Sequence, residues 1–240
     1  MTEAVFRAHA AWLRCLKISA ALCLTLVGVA AVTAQTAAPA SGATSVQGQA
    51  ATPLDKYFDG LTTLRATFTQ TVKDAKGKDV DRTSGKLVVA RPGKFRWEVD
   101  AKPGSNAGAQ LLVADGRNVW FFDQDLEQVT VKPADAALSS TPAMLLSGAS
   151  NIRDSFTLTP AGTREGLEWV LAEPRRPEAD FRRALFGFAK GNLERMIIDD
   201  RLGQTATIEF ASVARNARVA PEEVSFTPPA GIDVIGIPAK

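Results

Sequence analysis

Short segments in which apolar and polar side chains alternate recur along most of this chain, and they constrain its fold more than any other feature. In the first, over residues 66–72, every second residue is a threonine, and a period of two is typical of a β-strand. A turn at 74–77 leads to a second strand ending at 87–89. Further strands are predicted at 95–99, 110–114, 118–122, 127–131, 155–159, 168–172, 181–188, 193–199 and 205–211. Roughly ten short antiparallel strands predict a mainly β fold, either a strongly curved sheet or a barrel.

Two segments follow a helical period instead. The first begins at Thr52-Pro53, where a capping residue precedes a proline suited to the first helical turn. The apolar residues that follow recur at intervals of three and four: Leu54, Tyr57, Phe58, Leu61 and Leu64. This spacing predicts a short N-terminal amphipathic helix lying on an apolar surface.

The second helix is predicted within residues 132–148. Thr141 is its cap, Pro142 takes the first helical position, and Gly148 ends it. The residues at 143–146 are all apolar, and so short a helix is stable only against an apolar partner. From the residues alone it is either a fixed plug or a movable lid over a cavity.

The N-terminal segment has the pattern of an export signal. Arg7, Arg14 and Lys17 precede an apolar run at 18–32, and small residues at 32–34 offer a cleavage site. We therefore predict a signal peptide over 1–34, and a periplasmic location after its removal. Residues 35–52 are uncharged and rich in Ala, Gln, Ser and Thr, which predicts a flexible linker, and the folded domain is expected over 53–240.

Removal of the signal peptide excludes much chemistry. Both cysteines, Cys15 and Cys23, leave with it, as does the only histidine, His9, so the mature chain has no thiol nucleophile, imidazole base or disulfide. Of 28 basic and 26 acidic residues, three basic and one acidic residue are lost, which leaves 25 of each. This balance disfavours a nucleic-acid partner. We predict no enzymatic activity, cofactor or metal.

Two acidic groups are interpreted as turn chemistry. Asp123, Asp125 and Glu127 lie between two predicted strands but lack the full pattern of a calcium loop. The pair Asp199-Asp200, before Leu202-Gly203, has the same explanation.

The segment from Arg91 to Trp97 combines a proline, two arginines and two large aromatic residues. Its pattern, Arg91-Pro-x-x-Phe95-x-Trp97, resembles the Arg-Pro motif of the LolA family of outer-membrane lipoprotein carriers. The resemblance continues, in order and with similar spacing, over about 54–234 through these motifs: Val113-Ala-Asp-Gly116, Val119-Trp120, Gln128, Thr141-Pro-Ala-Met-Leu-Leu146 and Phe226-Thr-Pro-Pro-x-Gly231.

The resemblance implies an incomplete antiparallel barrel with a helical lid over a hydrophobic cavity. The expected ligand-binding residues are Phe68, Phe95, Trp97, Trp120, Phe122, Met144, Leu145 and Leu146. It further implies that Arg91 holds the lid closed through hydrogen bonds to the lid backbone. The implied cargo is acylated lipoprotein, received from an inner-membrane ABC-type release complex and passed to an outer-membrane receptor lipoprotein. We expect a monomer.

Two alternatives remain open from the sequence. The first is a half-barrel envelope sensor or lipid-binding protein, although such a sensor usually carries a second domain. The second is a periplasmic hydrolase, which would need two acids placed across a cleft, and no local pattern identifies such a pair.

Overall fold

The computed structural model describes residues 50–101, 108–134, 142–148, 151–176, 179 and 181–239. The predicted signal peptide, most of the predicted linker and the predicted cap Thr141 lie outside the described residues, as does the side chain of Met144.

Twelve strands of the described chain form one sheet, in the order β12-β6-β5-β4-β3-β2-β1-β11-β10-β9-β8-β7. The strands are β1 (Thr63–Lys73), β2 (Asp79–Ala90), β3 (Lys94–Val99), β4 (Gln110–Asp115), β5 (Asn118–Asp123), β6 (Gln128–Pro133), β7 (Phe156–Arg164), β8 (Leu167–Pro174), β9 (Phe181–Ala189), β10 (Asn192–Asp200), β11 (Thr205–Arg215) and β12 (Asp233–Ile235). All neighbours pair antiparallel except β12, which runs parallel to β6. The helices are α1 (Pro53–Phe58), α2 (Pro142–Ser147) and α3 (Ile152–Ser155), with a 3₁₀ turn at Pro221–Val224.

The predicted strands are confirmed, and so is the mainly β class. The N-terminal helix starts at Pro53 with Thr52 as its cap, as predicted, but it ends at Phe58. Leu61 lies beyond it and Leu64 belongs to β1, so the prediction of a helix reaching Leu64 was wrong. The spacing of three between Leu61 and Leu64 therefore does not come from a helical period. Leu61 lies in the turn between α1 and β1, and Leu64 lies in the strand itself. The sequence pattern did not predict β12, which has only three residues.

The two faces of the sheet bury different sets of side chains. The face that carries α1 and α2, here called the inner face, holds the main core, which includes Phe68, Phe95 and Trp97. The opposite face, here called the outer face, carries a smaller cluster: Val113, Trp120, Val129 and Val131, with Leu111, Phe122, Phe226 and Ile232 packed against it.

The C-terminal segment covers part of the outer face. After β11, the 3₁₀ turn contacts β2, β3 and β4, and Glu223 in it forms a 2.6 Å ion pair with Arg65 of β1. Phe226 then places its ring 5.8 Å from that of Trp120 and 6.1 Å from that of Phe122. The Phe-Thr-Pro-Pro motif of the sequence therefore helps to bury the outer face.

The acidic groups interpreted as turn chemistry do serve as turns. Asp123 Oδ1 accepts the backbone N–H groups of Asp125 and Leu126. Asp200 Oδ1 accepts those of Leu202 and Gln204, at 2.8 and 2.7 Å. Each carboxylate organises a reversal between two strands.

Within the part of the chain that the structure describes, no helix has the length and apolar character needed to cross a membrane.

Candidate ligand-binding face

The inner face brings together five of the predicted ligand-binding residues. Phe68 of β1 packs on Trp97 of β3, with ring centroids 4.2 Å apart, and Phe95 is completely buried beside them. Alternate residues of a strand point to the same side, so Phe95 and Trp97 share this face. Leu145 and Leu146 of α2 belong to the same cluster and are buried on it.

Helix α1 covers another part of the inner face. A complete capping box joins Thr52 and Asp55 at its start. Leu54 and Tyr57, one turn apart, are buried in the main core. The Tyr57 ring lies 5.4 Å from that of Phe188 in β9, and Arg215 stacks its guanidinium 4.6 Å from the Tyr57 ring centroid. Burial raises the pKa of Tyr57 to about 12, although the positive charge of Arg215 opposes this effect.

Trp120 and Phe122 do not lie on this face, so the prediction that they line one cavity with Trp97 was wrong. Trp97 is opposite Leu112 in the register, and Leu112 is opposite Phe121. Phe121 therefore packs against the inner-face core, while Trp120 and Phe122 point to the outer face. Within one strand, even- and odd-numbered residues lie on opposite faces. Which of the two sets shares a face with a given residue of the next strand depends on the register between the strands.

Trp120 has a local structural role on the outer face. Its indole Nε1–H donates to Asp115 Oδ2 at 2.7 Å. Asp115 Oδ1 also accepts the N–H groups of Arg117 and Asn118, and so organises the β4–β5 hairpin. Burial opposes ionisation of Asp115, but these hydrogen bonds outweigh it, and its pKa lies below the usual value.

Sequence reasoning did not place several inner-face residues. Phe121, Phe186 and Phe188 all contact the main core. The alternation within 181–188 could have identified Phe186 and Phe188 as one face of a strand. That this face meets α1 depends on strand order, which the pattern does not contain.

The loop between β2 and β3 connects both helices to the sheet. Arg91 Nη1 donates to the carbonyl of Phe58, the last residue of α1, at 3.1 Å. Its guanidinium carbon also lies 4.7 Å from the Phe58 ring centroid. Two residues on, after the cis bond between Arg91 and Pro92, Gly93 N–H donates to the carbonyl of Ser147, the last residue of α2, at 2.9 Å.

Arg91 also packs directly on the end of α2. Gly148, which follows the helix, has a positive φ of 63°. A side chain at this position would collide with the Arg91 guanidinium. Among the described residues, the one hydrogen bond of this guanidinium goes to the carbonyl of Phe58 in α1, and the hydrogen bond to the backbone of α2 comes from Gly93. Partial burial lowers the pKa of Arg91.

A second connection joins α1 to α3. Arg153 binds Asp55 through two parallel hydrogen bonds, Nε to Oδ1 at 2.9 Å and Nη2 to Oδ2 at 2.6 Å. Burial opposes ionisation of Asp55, but the hydrogen bonds from Arg153 and Thr52 outweigh it, so the pKa of Asp55 lies below its usual value. The hydrogen bonds with Asp55 raise the pKa of Arg153.

The residues of these connections also line an open groove of about 440 Å³. It is lined by Ala51, Asp55, Lys56, Phe58, Asp59, Arg91, Asn151 and Ile152. Its walls carry charges of both signs, unlike the apolar inner face. Within the described residues, no group of acidic, histidine or cysteine side chains is arranged to hold a metal ion.

Comparison with known proteins relates this arrangement to a family. The family model described as outer membrane lipoprotein carrier protein LolA matches residues 59–227. The outer-membrane lipoprotein carrier protein of Nitrosospira multiformis is 43% identical over 183 residues, 76% of this chain and 86% of that protein. The protein of the same name from Chromobacterium violaceum is 41% identical over 210 residues, 88% of this chain and 96% of that protein.

A solved structure of an uncharacterized conserved protein from Thermus thermophilus has a similar fold. Its TM-score is 0.50 at 14% sequence identity, over 76% of this chain and 96% of that one. At this identity the likeness concerns the fold alone. The family model and the sequence relatives show that this chain belongs to the LolA family of outer-membrane lipoprotein carrier proteins.

Proposed function

We propose that this chain is a periplasmic carrier that shields the acyl chains of lipoproteins against its inner face. Members of its family carry lipoproteins and are not enzymes. One observation carries the proposal for this chain. Two six-residue helices cover a broad apolar face, and one short loop holds both of them.

The energetics of these helices favour a cover that can move. Helices of this length are not stable alone, so their position depends on the inner face and on the loop. The two hydrogen bonds from the loop contribute about 1 kcal/mol each. A buried acyl chain gains about 0.8 kcal/mol per methylene, so a chain of ordinary length can displace α2 from the apolar side chains.

In this proposal the sheet curves into an incomplete barrel and α2 is its lid. The acyl chains would contact Phe68, Phe95 and Trp97 from the sheet, and Met144, Leu145 and Leu146 from the lid. Arg91 would hold the closed state by joining the end of α1 to the end of α2. Support comes from its hydrogen bond to Phe58 and from its close packing on Gly148.

The proposed transport path follows from the family. An inner-membrane ABC-type complex would release acylated lipoprotein to this chain, and an outer-membrane receptor lipoprotein would accept it. Residues 1–34 would direct export as a signal peptide and 35–52 would be a linker before the carrier domain at 53–240. Release requires modest affinity, because each 1.4 kcal/mol changes the dissociation constant about tenfold.

The direct test is native mass spectrometry of the mature chain, residues 35–240, purified from a periplasm in which an acylated lipoprotein is overproduced. We expect a one-to-one complex that disappears when the acylated cysteine of the lipoprotein is replaced. Recovery of only the bare, folded chain would contradict the carrier function.

The role of Arg91 is tested by Arg91→Leu. We expect this variant to fold and to bind lipoprotein, but to transfer less of it to the receptor. In the wild type the Arg91 contacts stabilise the closed state of the lid, and without them closure no longer favours release of the cargo. Arg82→Leu is the matched control, since Arg82 is exposed on β2 away from the loop. Equal transfer by both variants and the wild type would show that Arg91 does not control the lid.

A further inference from the structure

Two polar side chains on the inner face are opposite each other, and neither has a hydrogen-bond partner within the described residues. Gln70 of β1 is opposite Thr83 of β2 in the register. Gln70 is 4% exposed, and no hydrogen bond of its side chain is found within the described residues. The Thr83 hydroxyl is also buried, and it has no partner in that part of the chain.

The side chains next to Gln70 on β1 and β11 are apolar, whereas Asp81 lies two residues from Thr83 on the same face of β2. Phe68 and Val72 flank Gln70 on the same face of β1, and both are buried. On the other side of β1, Gln70 is opposite Ile208, which is 1% exposed. A buried amide or hydroxyl without a partner destabilises a fold, and most such groups in proteins are paired. An apolar residue in place of Thr83 would remove this cost.

The chemistry of the pair specifies a ligand group. The Gln70 amide offers two N–H donors and one acceptor, and the Thr83 hydroxyl offers one further donor. Carbonyl oxygens of esters and amides accept such hydrogen bonds, and an amide N–H can donate to the Gln70 oxygen. An acylated cysteine carries these groups where its chains are joined, next to long apolar chains.

We propose that Gln70 and Thr83 bind the ester and amide groups that link the acyl chains of the cargo to its cysteine, while the chains lie on the neighbouring aromatic side chains. This inference rests on the proposed carrier function and adds a polar recognition site to it. It predicts that the protein distinguishes ester-linked chains from hydrocarbon of equal length.

The test compares two synthetic peptides with equal chain lengths. One has an N-terminal diacylglyceryl-cysteine with ester links, and the other has ether links, which lack carbonyl oxygens. We expect the wild type to bind the ester peptide about tenfold more tightly, as one hydrogen bond allows. In the double variant Gln70→Leu/Thr83→Val this preference should disappear, with affinity for the ether peptide unchanged.

Controls separate this role from a structural one. The variant Thr69→Val/Thr71→Val changes the opposite face of the same strand and should keep the wild-type preference. Urea unfolding should show that Gln70→Leu/Thr83→Val is at least as stable as the wild type. The inference would be overturned if the double variant kept the wild-type preference for the ester peptide, or if it lost affinity for both peptides equally. Binding of neither peptide by the wild type would instead refute the carrier function, and this inference with it.

Discussion

The ionisation of Tyr57 measures directly how tightly α1 closes on the inner face. Tyr57 is the only tyrosine in the chain, so its ionisation can be followed without interference from another phenol. Its side chain is 2% exposed. Within the described residues its hydroxyl has no hydrogen-bond partner. The perturbation is a rise in pH, applied to the wild type and to Tyr57→Phe.

The size of the effect follows from burial. Desolvation raises the pKa of Tyr57 from 10.0 to about 12, and each unit corresponds to about 1.4 kcal/mol. Because the folded state binds this proton more tightly than the unfolded state, stability is unaffected below about pH 10. It is then lost as the pH rises towards about 12, by about 3 kcal/mol in all.

The assay is a spectrophotometric titration of tyrosinate, with near-ultraviolet circular dichroism recorded on the same samples. We expect a midpoint near 12, or an earlier midpoint that coincides with unfolding. Tyr57→Phe should show no titration, and its stability at about pH 8 should equal or exceed that of the wild type, because the hydroxyl it loses has no partner among the described residues. A midpoint near 10.0 in a folded protein would refute the reasoning, since Tyr57 would then be hydrated and α1 would not be closed.

Two further predictions concern the sheet and the attachment of α1. Gly85→Ala should destabilise the protein by about 3 kcal/mol or more in urea unfolding, because a Cβ there would collide with a backbone carbonyl of the next strand; an unchanged midpoint would show that the strands can separate locally. Asp55→Asn should cost about 1 kcal/mol at about pH 7 by weakening the partly exposed contact with Arg153. The pKa of Asp55 is lowered in the fold, so the wild type loses this contribution as the pH falls below about 4. The stabilities of the wild type and of Asp55→Asn should therefore converge in acid. A difference in stability that persists at about pH 2 would contradict this explanation.

The local elements could be predicted from the chain because their signals are local. The alternation over 66–72 predicted a strand, and the four residues that alternate with the threonines, Ala66, Phe68, Gln70 and Val72, are buried together in it. The strands predicted at 110–114 and 118–122 likewise form a hairpin, with its turn at Asp115-Gly116. In each case the period of the strand or the chemistry of the turn needs only a few neighbouring residues.

The composition of the binding face could not be predicted in the same way. The sequence grouped Trp120 with Trp97, whereas the register between β3, β4 and β5 places Phe121 beside Trp97 and turns Trp120 outward. A shift of one residue in register exchanges the two faces of a strand. Hydrogen bonding between distant segments decides that register, and local patterns do not record it.

By itself the sequence determined the fold class, the order of eleven strands along the chain, both helix starts and, through its motifs, the family. Only the tertiary structure decided which aromatic side chains share the inner face, that the loop at 91–93 joins α1 to α2, and that Gln70 meets Thr83. The physical reason is separation along the chain. Periods, caps and turns act within a few residues, whereas faces and contacts form between segments that only the paired sheet brings together.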